Sequence, residues 1–497
     1  MTLPVRSRVL ATAVVALAVG GCTDTAPLAP NAGRMSAPQP GRYLVGFEGT
    51  PEISPEVMAA AGGAVVDSVP AFNVLVVDGV MNPDALHAAN PTFIQAEFET
   101  TLDAPEPDNL VLDPPVDATE VPEALNAPWF DSGVQWDMKV MKADVGWAVT
   151  NGGEGVNICI ADTGIDDTHQ ELNGGKVIAR ANFVAAEPRV DDPNGHGSHV
   201  ASTAAARGVV VPGVAPRANL LGARVLNAAG SGPETAIVNG IRWCADNGAH
   251  VINMSLGGIR YRGQASYINS PILYGAAINY ANALGVVTVT SAGNSNLYVP
   301  NPGLLTVPSA VPNTITVGAT GPLTRTTAPA PPNWDPFDPD QVWYGPDTKS
   351  YFSNFGPAID VFAPGGQQGV TLSNPYRFVD RVQQGGNLRD GIYAACSSQS
   401  TRSAQTNAGG VPTGNTPCAG ATDRYLAIQG TSQAAPHVAG MAALLYAELG
   451  GVRSDENRQR VIRCILSSTD DIGDSAIYGG GRVNVEKAVA AIRGGSC

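Results

Sequence analysis

Three short segments of this 497-residue chain carry side chains that could together activate a nucleophile. The first is Gly430-Thr431-Ser432-Gln433-Ala434-Ala435-Pro436-His437-Val438-Ala439-Gly440. A glycine before a Thr-Ser pair, then small residues running into the apolar stretch Val438 to Leu445, predicts a tight turn feeding a buried helix. A hydroxyl placed there sits at a helix N-terminus, where unpaired N–H groups favour developing negative charge. A serine needs a base to become a nucleophile, and the base needs an orienting acid. Both candidates lie upstream. Asp162 ends the apolar run Ile158-Cys159-Ile160-Ala161, before Thr163-Gly164, and His196 stands between glycines in Asn194-Gly195-His196-Gly197-Ser198-His199. Asp…His…Ser is a known chain order for a serine triad. Singly, the serine would read as a cap, the aspartate as a turn residue and the histidine as a packed ring. Together they point to acyl transfer, with Ser432 attacking a carbonyl, His196 as general base and then acid, and Asp162 holding the imidazole.

These segments resemble the three signatures of the subtilisin-like serine peptidases (subtilases), and the resemblance runs roughly from Trp129 to the C-terminus. Within it, Ser291-Ala292-Gly293-Asn294 is similar to the family segment whose asparagine supplies an oxyanion donor, which implies Asn294 and the backbone N–H of Ser432 in that role. Gly230-Ser231-Gly232 and Ser255-Leu256-Gly257-Gly258 resemble the two family strands that sandwich an extended peptide, implying protein or peptide substrates bound through main-chain bonds. Most of the family carries Met after the nucleophile; Gln433 stands here, which removes an oxidisable thioether and implies tolerance of peroxide. His199 and His437 match structural family positions, and His169 reads as non-catalytic. No cofactor is needed for the chemistry. Structural calcium is implied by Asp360, which matches a calcium-ligating aspartate of some relatives, with carbonyls near Pro312 and Thr314. Asp335, Asp338 and Asp340 read as a second site or a solvated acidic loop, and no His/Cys cluster has zinc spacing.

The elements that must position these residues alternate in type. β-rich runs at 156–161, 219–225, 250–255, 286–291 and 314–317 alternate with helical patterns at 196–206, 234–247, 272–284 and 433–449. This predicts an α/β fold with a parallel sheet flanked by helices, and Trp136 to Val149 resembles the family's amphipathic entry helix. Ahead of it, residues 41–103 read as βαββαβ, a small α+β ferredoxin-like domain whose place and size resemble the inhibitory propeptide of subtilases, an intramolecular partner that assists folding. Residues 104–126 read as an acidic, Pro-rich linker, extended and open to cleavage: from Ala96 to Leu125 there is no Lys or Arg. The catalytic domain is 127–497, with apparent insertions at 322–349, 366–390 and 396–418.

The formal charge of −15 argues against nucleic acid as a partner. Arg6 and Arg8 precede an apolar run from Val9 to Val19, too short to span a membrane as a mature helix, so residues 1–22 read as an export signal. The run ends in Val19-Gly20-Gly21-Cys22, which looks like a lipobox with Cys22 lipid-modified, while Ala16-Leu17-Ala18 offers ordinary signal cleavage instead. Residues 23–40 would then be a tether. A lipid on the prosegment would be the only membrane contact, and a monomer is expected. The remaining six cysteines suggest disulfides in an exported protein. Cys396 and Cys418 flank one loop, Cys464 would pin the terminal Cys497, and Cys159 and Cys244 remain as a pair or as two buried thiols.

Overall fold

Residues 41–102, 110–112, 127–131, 135–322, 347–367, 370–371, 374–378, 391–400 and 418–497 are described by the computed structural model. The signal segment and tether, Asp335, Asp338 and Asp340, and most of the three insertions lie outside those residues. No helix among the described residues is long and apolar enough to cross a membrane.

The N-terminal lobe is built from β1 (Gly41–Gly46), α1 (Pro55–Ala61), β2 (Ala64–Val69), β3 (Val74–Val80) and β4 (Phe93–Ala96), with the strands antiparallel in the order β2-β3-β1-β4. Helix α1 begins where the Ser54 hydroxyl accepts the Val57 N–H and Pro55 takes the first helical position, and it stops at Gly62 with φ 76°. The second predicted helix is a 3₁₀ segment, Pro83–Ala89, in which Leu86 alone is buried. The lobe's core is small: Val45, Ala61, Val77, Val80 and Leu86. The last strand of the predicted βαββαβ order is broken in two. Strand β4 stays with β1, whereas β5 (Glu99–Thr101) leaves the lobe and pairs with residues 231–233. The linker also departs from an unpaired reading. Its Leu-Val-Leu triplet forms β6 (Leu110–Leu112), antiparallel to residues 425–427.

The larger lobe opens with α2 (Pro128–Asp131), α3 (Trp136–Val140) and α4 (Ala143–Val149). The single entry helix predicted over 136–149 is therefore two, interrupted at Lys142, which takes a left-handed φ of 62°. Then follow β7 (Asn157–Asp162), β8 (Val177–Asn182), α5 (His196–Ala205), β9 (Asn219–Arg224), β10 (Ser231–Pro233), α6 (Glu234–Asp246), β11 (Val251–Met254), β12 (Gly258–Tyr261), α7 (Ala265–Ala283), β13 (Val287–Ser291), β14 (Leu304–Val307), β15 (Ile315–Pro322), β16 (Asp347–Lys349) and β17 (Val361–Pro364). After the short strands β18 (Val370–Thr371) and β19 (Asn374–Phe378) come β20 (Ile392–Ala395), β21 (Tyr425–Ile428), α8 (Thr431–Glu448), α9 (Asp455–Ser467), β22 (Thr469–Asp470) and β23 (Arg482–Val483).

The central sheet runs β22-β23-β17-β15-β13-β11-β7-β9-β8 and is parallel from β8 through β23. Both its faces are covered, so its strands are apolar on both sides, as buried parallel strands must be. Alternation along β7 divides the two cores. Ile158 and Ile160 pack with α5 and α8, whereas Cys159 and Ala161 pack with α6 and α7. Helix α8 is buried from Thr431 to Tyr446, which accounts for an apolar stretch with little helical periodicity. Three disulfides are present: Cys159–Cys244 joins β7 to α6, Cys396–Cys418 closes the inserted loop, and Cys464–Cys497 ties the C-terminus to α9.

Candidate active site

The carboxyl ends of the parallel strands and the N-termini of two buried helices meet at one face, and the predicted residues lie on these ends. Asp162 is the last residue of β7 and fully buried; His196 is the first of α5. The His196 Nδ1 lies 2.8 Å and 3.0 Å from the two Asp162 carboxylate oxygens, and Asp162 Oδ1 also accepts the Thr163 N–H at 2.7 Å. Nδ1 thus faces the acid, which leaves Nε2 as the ring's reactive nitrogen.

Asp192, which the sequence reading passed over, ties the two elements together. One carboxylate oxygen accepts the Thr163 hydroxyl (2.8 Å) and the Gly195 N–H (2.8 Å), and the other accepts the Ser198 N–H (2.8 Å). The Thr163 hydroxyl in turn accepts the Gly197 N–H at 2.9 Å. Burial raises the Asp192 carboxyl's pKa, against the pull of these hydrogen bonds. The only sequence signal for it was the Asp-Pro-Asn turn before His196.

Ser432 is the second residue of α8, so its N–H belongs to the first turn and has no intrahelical acceptor. The entry turn demands glycine: Gly430 has φ 154°, and its N–H donates to the Gly365 carbonyl at 2.8 Å. Pro436 has no N–H, so it cannot bond the carbonyl four residues back, which is that of Ser432. The Ser255 hydroxyl takes that place, donating to the Ser432 carbonyl at 2.7 Å, and is itself held by Asn253 at 2.9 Å. The Ser432 hydroxyl donates to the Ser255 carbonyl at 3.2 Å.

Asn294 follows β13 and faces the same helix end. Its Oδ1 accepts both the N–H and the hydroxyl of Thr431, each at 2.8 Å, which fixes Nδ2 as the donor side of the amide. Gly293, at φ 98°, donates its N–H to the Thr431 hydroxyl at 3.1 Å, and a β-carbon there would meet the Asn354 amide at 2.6 Å. Asn354 braces this loop by accepting the Ser295 and Leu297 N–H groups and donating to the Ala292 carbonyl. Neither Thr431 nor Asn354 was recognised from the sequence, because each acts on a loop far away in the chain.

A cavity of about 370 Å³ opens beside Ser432, lined among others by Gly257, Gly258, Asn294, Thr306 and Ser309. The two predicted substrate edges flank its approach, and the chain's own β5 lies between them. Ser231, Gly232 and Pro233 pair antiparallel with Thr101, Thr100 and Glu99, and Thr101 bridges Gly257 on the other side. The ladder extends at both ends: the Leu102 N–H donates to the Gly230 carbonyl at 2.8 Å, and the Glu234 N–H donates to the Phe98 carbonyl at 3.1 Å.

The other histidines are packed away from this site. His199 Nε2 lies 3.0 Å from the carbonyls of both Ile392 and Leu426, and burial pushes its pKa down to about 3. His437 pairs with the buried Asp137 at 2.9 Å. His169 lies 2.8 Å from the Arg424 carbonyl against the Tyr425 ring, and burial lowers its pKa.

For calcium, one Asp360 oxygen already accepts the Thr316 N–H at 2.9 Å. With carbonyls of Pro312 and Thr314 the set offers about three protein oxygens, whereas Ca²⁺ takes roughly six to eight, so these residues suit only a weak, water-rich site. Among the described residues no group of three or more His, Cys, Asp or Glu could hold a metal ion.

The subtilase family (Peptidase_S8) profile matches residues 153–481, a span that includes Asp162, His196, Asn294 and Ser432. Thermitase of Thermoactinomyces vulgaris is 32% identical over 369 residues, 73% of this chain and 98% of thermitase. M-protease of Shouchella clausii (strain KSM-K16) is 30% identical over 79% of this chain and 80% of its own length. Among solved structures, the epidermin leader peptide processing serine protease of Staphylococcus aureus superposes with a TM-score of 0.63 at 21% identity, covering 91% of this chain and 98% of that one. The chain belongs to the subtilase family and is a serine-type endopeptidase.

Proposed function

We propose that this protein is an exported endopeptidase made as a zymogen, cutting protein segments in extended conformation through Asp162, His196 and Ser432. The observation that carries the reading is β5. A stretch of the chain's own N-terminal lobe is paired on both edges within reach of Ser432, in the manner a substrate backbone would be held. In this reading the Ser432 hydroxyl swings from the Ser255 carbonyl toward His196 Nε2, gives up its proton and attacks the scissile carbonyl. Asp162 stabilises the imidazolium without itself taking the proton. Asn294 Nδ2 and the Ser432 N–H receive the charge on the tetrahedral oxygen. Protonated His196 then donates to the leaving amine, and water repeats the sequence on the acyl-enzyme.

Residues 41–103 act as a prosegment that occupies the cleft until the chain is cut in the linker, residues 104–126. The lipid expected at Cys22 lies on the far side of that cut, so maturation frees the enzyme from its anchor. Calcium at Asp360 would brace the turn beside Thr316 and supplies no chemistry. Treatment with a fluorophosphonate tests the nucleophile. The expected result is one adduct per molecule on the peptide containing Ser432, with loss of casein hydrolysis in step. An adduct elsewhere, or an unlabelled protein that still cuts casein, would refute the assignment.

A further inference from the structure

We propose that Arg260 forms a substrate subsite selective for an aromatic side chain, well upstream of the bond that is cut. This rests on the reading of β5 as substrate-like. Phe98 precedes β5, its carbonyl still bonded to the Glu234 N–H, so it belongs to the same extended strand. Its ring lies under the Arg260 guanidinium, 4.4 Å from centroid to Cζ. Both residues line the cavity beside Ser432.

The way Arg260 is held decides what it can recognise. The side chain is almost wholly buried at 1% exposure, and all three of its nitrogens are engaged. Nε donates to the Ser270 hydroxyl (3.1 Å), one terminal nitrogen to the Ile259 carbonyl (3.2 Å), and the other to the Glu234 carboxylate (2.6 Å). Glu234 is fully buried and also accepts from Gln95 of the N-terminal lobe at 2.7 Å. Three of its five N–H groups are spent in this way and its charge is matched by Glu234, while one flat face lies against the Phe98 ring. A carboxylate arriving there meets the charge of Glu234, whereas a ring stacks on the plane with no hydrogen bond to satisfy. Once the N-terminal lobe leaves, the place of Phe98 is open to a substrate residue. That residue lies three positions before the one that pairs with Gly257.

The test uses the matured enzyme and quenched peptides spanning residues 96–128, with Phe98 kept or replaced by Ala, Leu or Asp. For wild type, kcat/KM should fall in the order Phe, Leu, Ala, Asp, with Phe over Ala roughly fivefold to tenfold. Arg260→Lys keeps a cation beside Glu234 but loses the plane. It should shrink the Phe-to-Ala ratio to about twofold, a change that a purely structural role, rescued by lysine, would not produce. An equal ratio in both enzymes, or no preference for Phe in wild type, overturns the subsite while leaving the protease reading intact. The wild-type order decides the matter alone if Arg260→Lys does not fold. No cleavage of any peptide would overturn both.

Discussion

The two lobes solve opposite problems. The larger encloses the site residues in two extended cores and carries three disulfides, and Asp192 and Asn354 each accept several hydrogen bonds there. The N-terminal lobe has a five-residue core, no cysteine, and an outer strand on which Val65 and Val66 are about half exposed. It packs on the larger lobe through Leu44, Val69, Val74 and Val76, and is joined to the site by main-chain pairing of β5 and by polar contacts of Gln95 and Glu97. The contrast teaches where covalent ties and braced hydrogen bonds are concentrated: around the candidate site, not in the lobe proposed to leave it.

Removing the covalent tie is the most severe way to break this contrast. Replacing Cys159 and Cys244 by alanine frees a loop of 85 residues and should cost the larger lobe about 4.5 kcal/mol. Thermal unfolding of the matured double variant beside matured wild type checks it, since reductant would open the other two disulfides as well. The N-terminal lobe, having no disulfide, should respond to reductant only through its partner.

Asn294→Leu sharpens the comparison on the rigid side. It should lower kcat by roughly 10² to 10³ with little change in KM, because in the proposed mechanism the amide serves the charged intermediate and not the bound peptide. Steady-state kinetics on a p-nitroanilide substrate would show it, and a KM effect without a kcat effect would contradict it.

The smallest effect lies in the N-terminal lobe. Burial raises the Glu97 carboxyl above its ordinary pKa, opposed by hydrogen bonding to Thr235 and by Arg42, and reinforced by Glu234. A carboxyl with a higher pKa docked than free binds its proton more tightly in the complex. Docking is therefore strongest below the ordinary glutamate range and weakens as pH rises through the raised value. Self-processing should accelerate a few-fold over that interval, and Glu97→Gln should flatten the profile.

Much of the fold was legible because its signals are local. Apolar β-rich runs marked β7, β9, β11 and β13. The candidate site was legible as three short motifs, each carrying its own glycine-rich surroundings. What escaped was non-local. Lys142 breaks the entry helix through a positive φ that no lysine advertises. A Leu-Val-Leu triplet in an acidic linker finds an edge more than 300 residues away. Thr431 sets the amide of Asn294 across 137 positions, and Arg260, a residue type that usually lies at the surface, is buried by an acid and a serine from neighbouring helices.

The central claim is that Ser432 cuts the chain that β5 delivers to it. Full-length protein and Ser432→Ala, purified side by side, can be compared by intact mass and N-terminal sequencing. The account expects wild type to lose its prosegment, with a new N-terminus between residues 103 and 127, while the variant stays uncut. Identical processing of both proteins at that position would contradict it.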